Sequence, residues 1–399
     1  MKILKYDVVV VGAGPGGSMT AWRAAEGGAK VLMLEKRQEI GSPVRCGEGM
    51  AKVWLNELGL KPNPSWIAHE VEGARIFAPD GSCLTVNEKL AGNECGYVIN
   101  RDDFDQYLAF EAARAGADVM VKTMATSVMK EGNKVVGVKA RSGLEELEIQ
   151  AKITIGADGF ESQIGRWAGI DTNLKLRDLN SCFEYVMVDI ECDPRYNDFY
   201  LGSASPGGYV WVFPKGKDLA NVGIGVNRSK MKKGGEAKMY LDKWIQNHPG
   251  IDKGKRVEKI AGAISCNMPI DKTVDNGIML VGDAARQIDP LTGGGIATSC
   301  QAGQIAGRVC AEAVKANDFS EKFLLRYDKE WRAKFENKLI RNYVAKEKLI
   351  DLSDDIFNKA VKALSETTLE KITTFEILKA LERKYPELVK ELENLLAGP

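Results

Sequence analysis

The residues best placed to do chemistry come early. Gly12-Ala13-Gly14-Pro15-Gly16-Gly17 fits the GxGxxG spacing; it follows the apolar strand Tyr6–Val11 and opens an alanine-rich helix. A strand before and a helix after is the context that spacing requires. Gly12 permits the tight turn, Gly14 lets the backbone approach a pyrophosphate, and Gly17 lets the helix pack close to the strand. Pro15 and Gly16 complete the turn, and the helix expected after Gly17 offers unpaired N–H groups and partial positive charge at its N-terminus to phosphates. Glu35 follows a second apolar strand, Val31–Leu34, 23 positions after Gly12. A carboxylate there can accept hydrogen bonds from an adenosine ribose. The ligand chemistry is that of a dinucleotide, NAD or FAD.

A second constellation lies far along the chain. Ile278–Val281 reads as a strand and runs into Gly282-Asp283, then Asp289-Pro290, then Gly293-Gly294-Gly295-Ile296, where a helix rich in Ala and Gly is expected to begin at Gly293. A helix N-terminus here can stabilise negative charge developing on a reduced ring system. A third is the loop Gly41-Ser42-Pro43-Val44-Arg45-Cys46-Gly47-Glu48-Gly49, in which Arg45 favours the thiolate of Cys46. A fourth is Pro206-Gly207-Gly208-Tyr209-Val210-Trp211-Val212-Phe213-Pro214-Lys215. As a strand it puts Tyr209, Trp211 and Phe213 on one face and Val210 and Val212 on the other. An aromatic face of that kind suits a long apolar chain and excludes water. His69 and His248, the two histidines, lie in none of these motifs.

The run from Gly282 to Ile296 resembles the second FAD motif of the flavin-dependent hydroxylases. That resemblance implies that Asp283 binds the ribityl chain and that the amides of Gly293–Gly295 face the flavin, with Pro290 and Ile296 beside them. It also implies roles for Asp158, in Ala157-Asp158-Gly159 after a strand, and for Arg101, near the phosphates. Ala125, just past the strand expected at 118–123, would make the backbone contact to adenine. The Gly41–Gly49 and Pro206–Lys215 segments together closely resemble the geranylgeranyl reductases, especially the archaeal enzymes that saturate isoprenoid chains of membrane lipids. The resemblance spans nearly the whole chain and includes Glu35-Lys36-Arg37. It implies FAD-dependent saturation of C=C bonds in digeranylgeranylglycerophospholipid. Lys36, Arg45, Cys46, Gly47 and Gly49 are then expected at the cofactor. Cys46, Tyr209 and Trp211 are expected in catalysis, and Tyr209, Trp211 and Phe213 in the lipid pocket. Two other readings share the FAD motifs: a monooxygenase of the aromatic-hydroxylase type, and a non-catalytic flavin-containing lipid carrier.

These motifs need a scaffold with dinucleotide-type segments at both ends and a β-rich insertion. The expected fold class is α/β (α+β overall), with a Rossmann-type FAD-binding domain (1–60, 101–170 and 255–320). An antiparallel-sheet substrate domain (61–100 and 171–254) is inserted, and a helical region (321–399) follows. Across 399 residues, 44% hydrophobic and 28% charged, Lys+Arg and Asp+Glu both number 55. A net charge of zero disfavours a nucleic-acid binder. The eight cysteines include no CxxC pair, so a zinc or iron–sulfur site is not expected. Most of them read as small buried residues. No apolar run approaches the roughly 20 residues that cross a bilayer, and a signal peptide is not expected from the first residues, which lead into an apolar strand. The expected location is the cytoplasm, peripherally on the inner face of the cell membrane. No second GxGxxG is present for a nicotinamide donor, which favours a protein donor such as reduced ferredoxin; NAD(P)H stays open as the donor, since the flavin hydroxylases use it without a separate nucleotide domain. In the tail, Ile377, Leu381, Leu388, Leu392 and Leu395 form an apolar stripe interrupted at Pro386, where a new helix can start.

Overall fold

In the computed structural model the described residues are 2–87, 96–366 and Pro386. They fall into two compact units: Met1–Val44 with Arg101–Leu174 and Ser265–Tyr343, and Arg45–Asn100 with Lys175–Ile264 and Val344 onward. Pro386, where the apolar stripe of the tail is interrupted, is described and helical; the stripe itself, Ile377, Leu381, Leu388, Leu392 and Leu395, lies outside the described residues.

The first unit is built on a mixed sheet. Its spatial order is Val274–Asp275, Ile278–Leu280, Glu145–Gly156, Lys2–Val11, Val31–Leu34 and Asp118–Met120. Four successive pairings, from Ile278–Leu280 to Asp118–Met120, are parallel. Lys134–Ser142 and Thr123–Glu131 hang as an antiparallel meander on Glu145–Gly156. Val8 and Val10 enter one apolar cluster and Val9 and Val11 the other, so this strand is covered on both faces, as parallel strands usually are. The strand expected at 118–123 is divided. Lys122, at φ 51°, turns the chain from the parallel edge into the meander.

Two helices close one side. Pro15–Glu26 lies against Ile296–Ala316, and a Cβ on Gly303 or Gly307 would run into the backbone of Gly16 or Thr20. The Ala and Gly content of the long helix is thus a packing requirement. That helix begins at Ile296, not at Gly293 as expected. The three glycines form the preceding loop, closed by Gly293 N–H to Asp289 C=O (2.8 Å) and Asp289 N–H to Gly294 C=O (2.9 Å). Glu321–Trp331 then packs beneath the sheet with Tyr327 and Trp331 fully buried.

The second unit has a seven-stranded sheet among the described residues. Its order is Lys255–Ser265, Leu179–Val188, Leu219–Asn227, Tyr209–Pro214, Tyr196–Tyr200, Gly73–Phe77 and Cys83–Asn87. One internal pairing, Tyr196–Tyr200 with Gly73–Phe77, is parallel. Helix Glu236–Gln246 covers one face, where Val210, Val212, Val222 and Ile224 meet Leu241 and Trp244. The opposite face carries Trp211 and Phe213, packed on Val71 and on Val98 of a small sheet formed by Gly49–Ala51, Gly96–Ile99 and Ile67–Glu70. Helix Asp354–Ser365 joins this unit through Val361 against Leu84.

One buried relay ties the Glu321–Trp331 helix to the Gly282 loop. Tyr327 O–H donates to Leu280 C=O (2.7 Å) and accepts from Gln287 Nε2 (2.8 Å), and Gln287 Oε1 accepts from Gly282 N–H (2.7 Å). Tyr327→Phe strands two buried partners and should cost about 1–3 kcal/mol, measured by chemical denaturation of the flavin-free protein. A change below about 0.5 kcal/mol, the scale of a neutral surface substitution, would show that the relay holds nothing.

Candidate active site

Four of the segments expected to hold the cofactor come together because four parallel strands end together. Val11 pairs with Leu34 and with Gly156, and Gly156 pairs with Leu280. The residues that follow, Gly12, Glu35, Ala157-Asp158 and Val281-Gly282-Asp283, therefore leave the sheet side by side at its carboxyl edge. In open α/β sheets that edge is where ligands bind. Gly12 (φ 105°) has no room for a side chain because Ala157 C=O lies where its Cβ would go, and Gly17 is closed by Gly12 C=O in the same way. Gly14 differs: a Cβ there would meet nothing within 4 Å. Open space at the N-cap of the Pro15–Glu26 helix, with no side chain capping it, is the cradle a pyrophosphate needs.

The acids around this edge are poised rather than spent. Glu35 accepts from Ala13 N–H (3.2 Å) and Arg37 N–H (2.9 Å). Asp158 Oδ2 accepts from Ile164 N–H (3.0 Å), while its buried Oδ1 has no partner. Burial pushes its carboxyl up, opposed by the Ile164 amide. Asp283 lies in the short turn Gly282–Ala285, which Val281 precedes as N-cap. Burial raises its pKa, with Arg286 and Arg101 opposing. Arg101 makes a two-armed contact to the carboxylate of Asp105 (3.0 and 2.9 Å). Lys36 is exposed. Ala125 sits within Thr123–Glu131, paired to Ala140. Pro290 and Ile296 are buried on either side of the glycine loop. These groups suit FAD: a phosphate cradle, an acid at the strand end for a ribose, and orphaned carboxylate oxygen for further hydroxyls.

The remaining residues singled out from the sequence gather in the second unit. Tyr209, Trp211 and Phe213 oppose Gly225, Gly223 and Asn221 on the neighbouring strand. That strand's other side puts Cys182, Glu184 and Val186 against the same three residues. Gly223 is the key to the layout, since any Cβ would collide with the Trp211 ring. The indole lies across this glycine and donates Nε1–H to Glu184 Oε2 (2.7 Å), two strands away. Phe199 adds edge contacts to Tyr209 and Phe213, with centroids at 5.3 and 5.2 Å. The Cys46–Gly49 loop covers this layer, with Gly47 backed by Trp211 and Phe213 and Gly49 by Phe213. Cys46 Sγ is half-buried and accepts from Glu48 N–H (3.3 Å). Arg45 is exposed.

Four charged or polar groups here, Glu48, Lys215, Asn221 and Glu184, carried no role in the sequence reading. Glu48, 3% exposed, accepts from Lys215 Nζ (2.6 Å) and Asn221 Nδ2 (2.7 Å), and Asn221 Nδ2 also reaches Gly47 C=O (3.4 Å). This buried pair fastens the Cys46 loop to the aromatic strand. The available signals were Glu48 between glycines and Lys215 ending the aromatic run; nothing local marks Asn221 or Glu184. Both histidines pack rather than project. His69 Nε2 contacts Pro194 C=O (2.7 Å), and His248 stacks on Trp244 at 3.6 Å. Of the described cysteines, Cys266, Cys300 and Cys310 are buried and Cys46, Cys83, Cys182 and Cys192 are half-buried, so fewer are buried than expected.

Residues 7–178 match the model of the FAD dependent oxidoreductases, and 178–264 that of the geranylgeranyl reductase catalytic domain. Digeranylgeranylglycerophospholipid reductase of Thermoplasma acidophilum is 51% identical over 396 residues, covering 98% of this chain and 99% of that protein. The chain belongs to the digeranylgeranylglycerophospholipid reductase family. Another member, from Picrophilus torridus, is 49% identical over 98% of this chain and all of its own length. A solved structure of a geranylgeranyl bacteriochlorophyll reductase-like protein from Thermoplasma acidophilum superposes with a TM-score of 0.93 at 50% identity, covering 98% of this chain and 100% of that one. A flavin-dependent brominase, at 19% identity and TM-score 0.67, shares the fold. The chain is accordingly an FAD-dependent oxidoreductase, and its geranylgeranyl reductase segment contains the strands bearing Glu184, Trp211 and Gly223.

Removing one partner of a buried ion pair is costly. Lys215→Met leaves the Glu48 charge buried and should destabilise the flavin-free protein by about 3–5 kcal/mol, read by urea denaturation. Glu48→Gln added to it should restore much of the loss. A single variant as stable as wild type would contradict the fastening role.

Proposed function

We propose that the protein reduces the isolated C=C bonds of geranylgeranyl chains in digeranylgeranylglycerophospholipid, completing saturated archaeal ether lipids. The observation that carries the reading is the aromatic face of the second unit. Three rings share one side of a strand, with Trp211 laid over Gly223, and the loop bearing Cys46 is fixed above them by Glu48 and Lys215. An isoprenoid chain carries no group for hydrogen bonding near its double bonds, so shape and aromatic surface must hold it. Tyr209, Trp211 and Phe213 supply that surface, and Cys46 borders it.

Gly12, Gly14, Pro15, Gly16 and Gly17 cradle the pyrophosphate of FAD, Glu35 takes the adenosine ribose, and Asp283 takes the ribityl hydroxyls. Asp158, Arg101, Ala125 and the Gly293–Gly295 loop complete the holding set. Bound FAD, once reduced, supplies hydride to one alkene carbon. The protein's own task is to exclude water, orient the chain and bring a proton to the other carbon. Electrons come from reduced ferredoxin or NAD(P)H. The lipid requires peripheral contact with the inner face of the membrane; among the described residues no helix is long and apolar enough to cross one.

The test is anaerobic. Flavin in the purified protein is reduced with dithionite, the lipid is added, and absorbance and product mass are followed. Reoxidation of the flavin with the lipid gaining hydrogens in pairs is the expected outcome. A flavin that stays reduced until oxygen enters, with the lipid mass unchanged, would favour the monooxygenase instead.

A further inference from the structure

Alkene reduction consumes a proton, and no histidine lies against the aromatic face to provide it. Glu48 and Glu184 both lie at this face, and their surroundings differ. Glu48 is paired with Lys215 at 2.6 Å and hydrogen-bonded by Asn221. Glu184 is 2% exposed, and the contact its carboxylate makes is to the Trp211 indole. Trp211 Nε1–H is the hydrogen-bond donor to its Oε2, and its Oε1 is buried without a partner. Glu48 thus has a cation beside it, whereas the buried, half-partnered Glu184 is placed as a carboxyl that keeps its proton.

We propose that Glu184 is the proton source of the alkene reduction, with the proton carried on Oε1 while the Trp211 indole fixes Oε2. The assignment rests on the reductase reading above. Burial pushes the Glu184 carboxyl well above the usual carboxylate range; the Trp211 hydrogen bond and Lys215 oppose this, and the charges of Glu48 and Glu258 reinforce it. In the reaction one alkene carbon takes hydride from the reduced cofactor. The π electron pair takes the proton at the other carbon as the Glu184 O–H bond breaks. The cofactor is left oxidised by two electrons and Glu184 is left as a carboxylate, held by the indole N–H until solvent returns a proton. Gly223 is what lets the ring reach this acid across the intervening strand.

The pH sign follows from the raised pKa. The folded protein binds this proton more tightly than the unfolded chain, whose carboxyl titrates near 4.5. Glu184 therefore contributes stability that is complete below that value and is lost as pH rises through its folded pKa. Turnover of lipid by reduced enzyme should fall over that same upper range.

Glu184→Gln keeps an acceptor for the indole but has no acidic proton. It should slow lipid-driven flavin reoxidation by about 100-fold or more, the usual scale for a lost general acid. Dithionite reduction and tryptophan fluorescence should stay at wild-type values. Infrared spectra of the flavin-free wild type should show a protonated carboxyl band that shifts in D2O and is missing from the variant. Glu184→Ala should perform no better than the Gln variant. A Gln variant as fast as wild type, with Ala alone impaired, would reduce Glu184 to a support for Trp211 and overturn the proposal. So would an infrared band that survives in the variant. Failure of the broader reading shows separately, as a wild-type flavin that the lipid never reoxidises, and it takes the proton assignment with it.

Discussion

Parallel strands bring distant sequence together only if they end at the same height, and in the first unit they do. Val11, Leu34, Gly156 and Leu280 lie in one row of backbone pairing, so four turns spread across some 270 positions open onto one edge. Everything proposed for the cofactor depends on that row. Gly12 and Gly17 permit the first turn to fold flat against Ala157. Gln287 and Tyr327 hold the last turn from below. Leaving Gly14 open costs the fold little, since nothing packs there and only a ligand would gain from it.

The second unit depends on register in a different way. A one-residue slip between antiparallel strands sends every side chain to the opposite face. Here the register sets Trp211 and Glu184 both opposite Gly223. A side chain at that position would separate the indole from the acid; its absence creates a hydrogen bond between strands that are not neighbours. The same column continues at Asn221, which reaches the Glu48 carboxylate, so the loop carrying Cys46 is secured to the layer carrying the rings.

Much of this was legible in the sequence where the signal was local. The GxGxxG turn, Glu35, Gly282-Asp283 and the alternation of Tyr209, Trp211 and Phe213 are short patterns with direct physical meaning, and so was the α/β fold class. The start of the long helix was misjudged because glycines mark a loop before a helix as readily as the helix itself; Asp289 settles it by bonding back across the loop. The break at Lys122 depends on the chain leaving one sheet direction for another, which periodicity does not record. Glu184 was invisible for a stronger reason. Its environment is made by Trp211, 27 positions away, and by the glycine between them in space, so its meaning exists only once three strands are in register. The cysteines were read as buried from their general habit, yet Cys46, Cys83, Cys182 and Cys192 are only half so.

The claim on which the rest stands is that the open cradle at Gly14 holds the pyrophosphate of FAD. Its most direct test is FAD binding by Gly14→Val, followed by calorimetry and by the flavin content of the purified protein. Because a Cβ at Gly14 meets nothing within 4 Å, the variant should fold with nearly wild-type stability and lose most of its FAD affinity, at least about 100-fold, or 2.7 kcal/mol. A variant that folds normally and binds FAD as tightly as wild type would contradict the account.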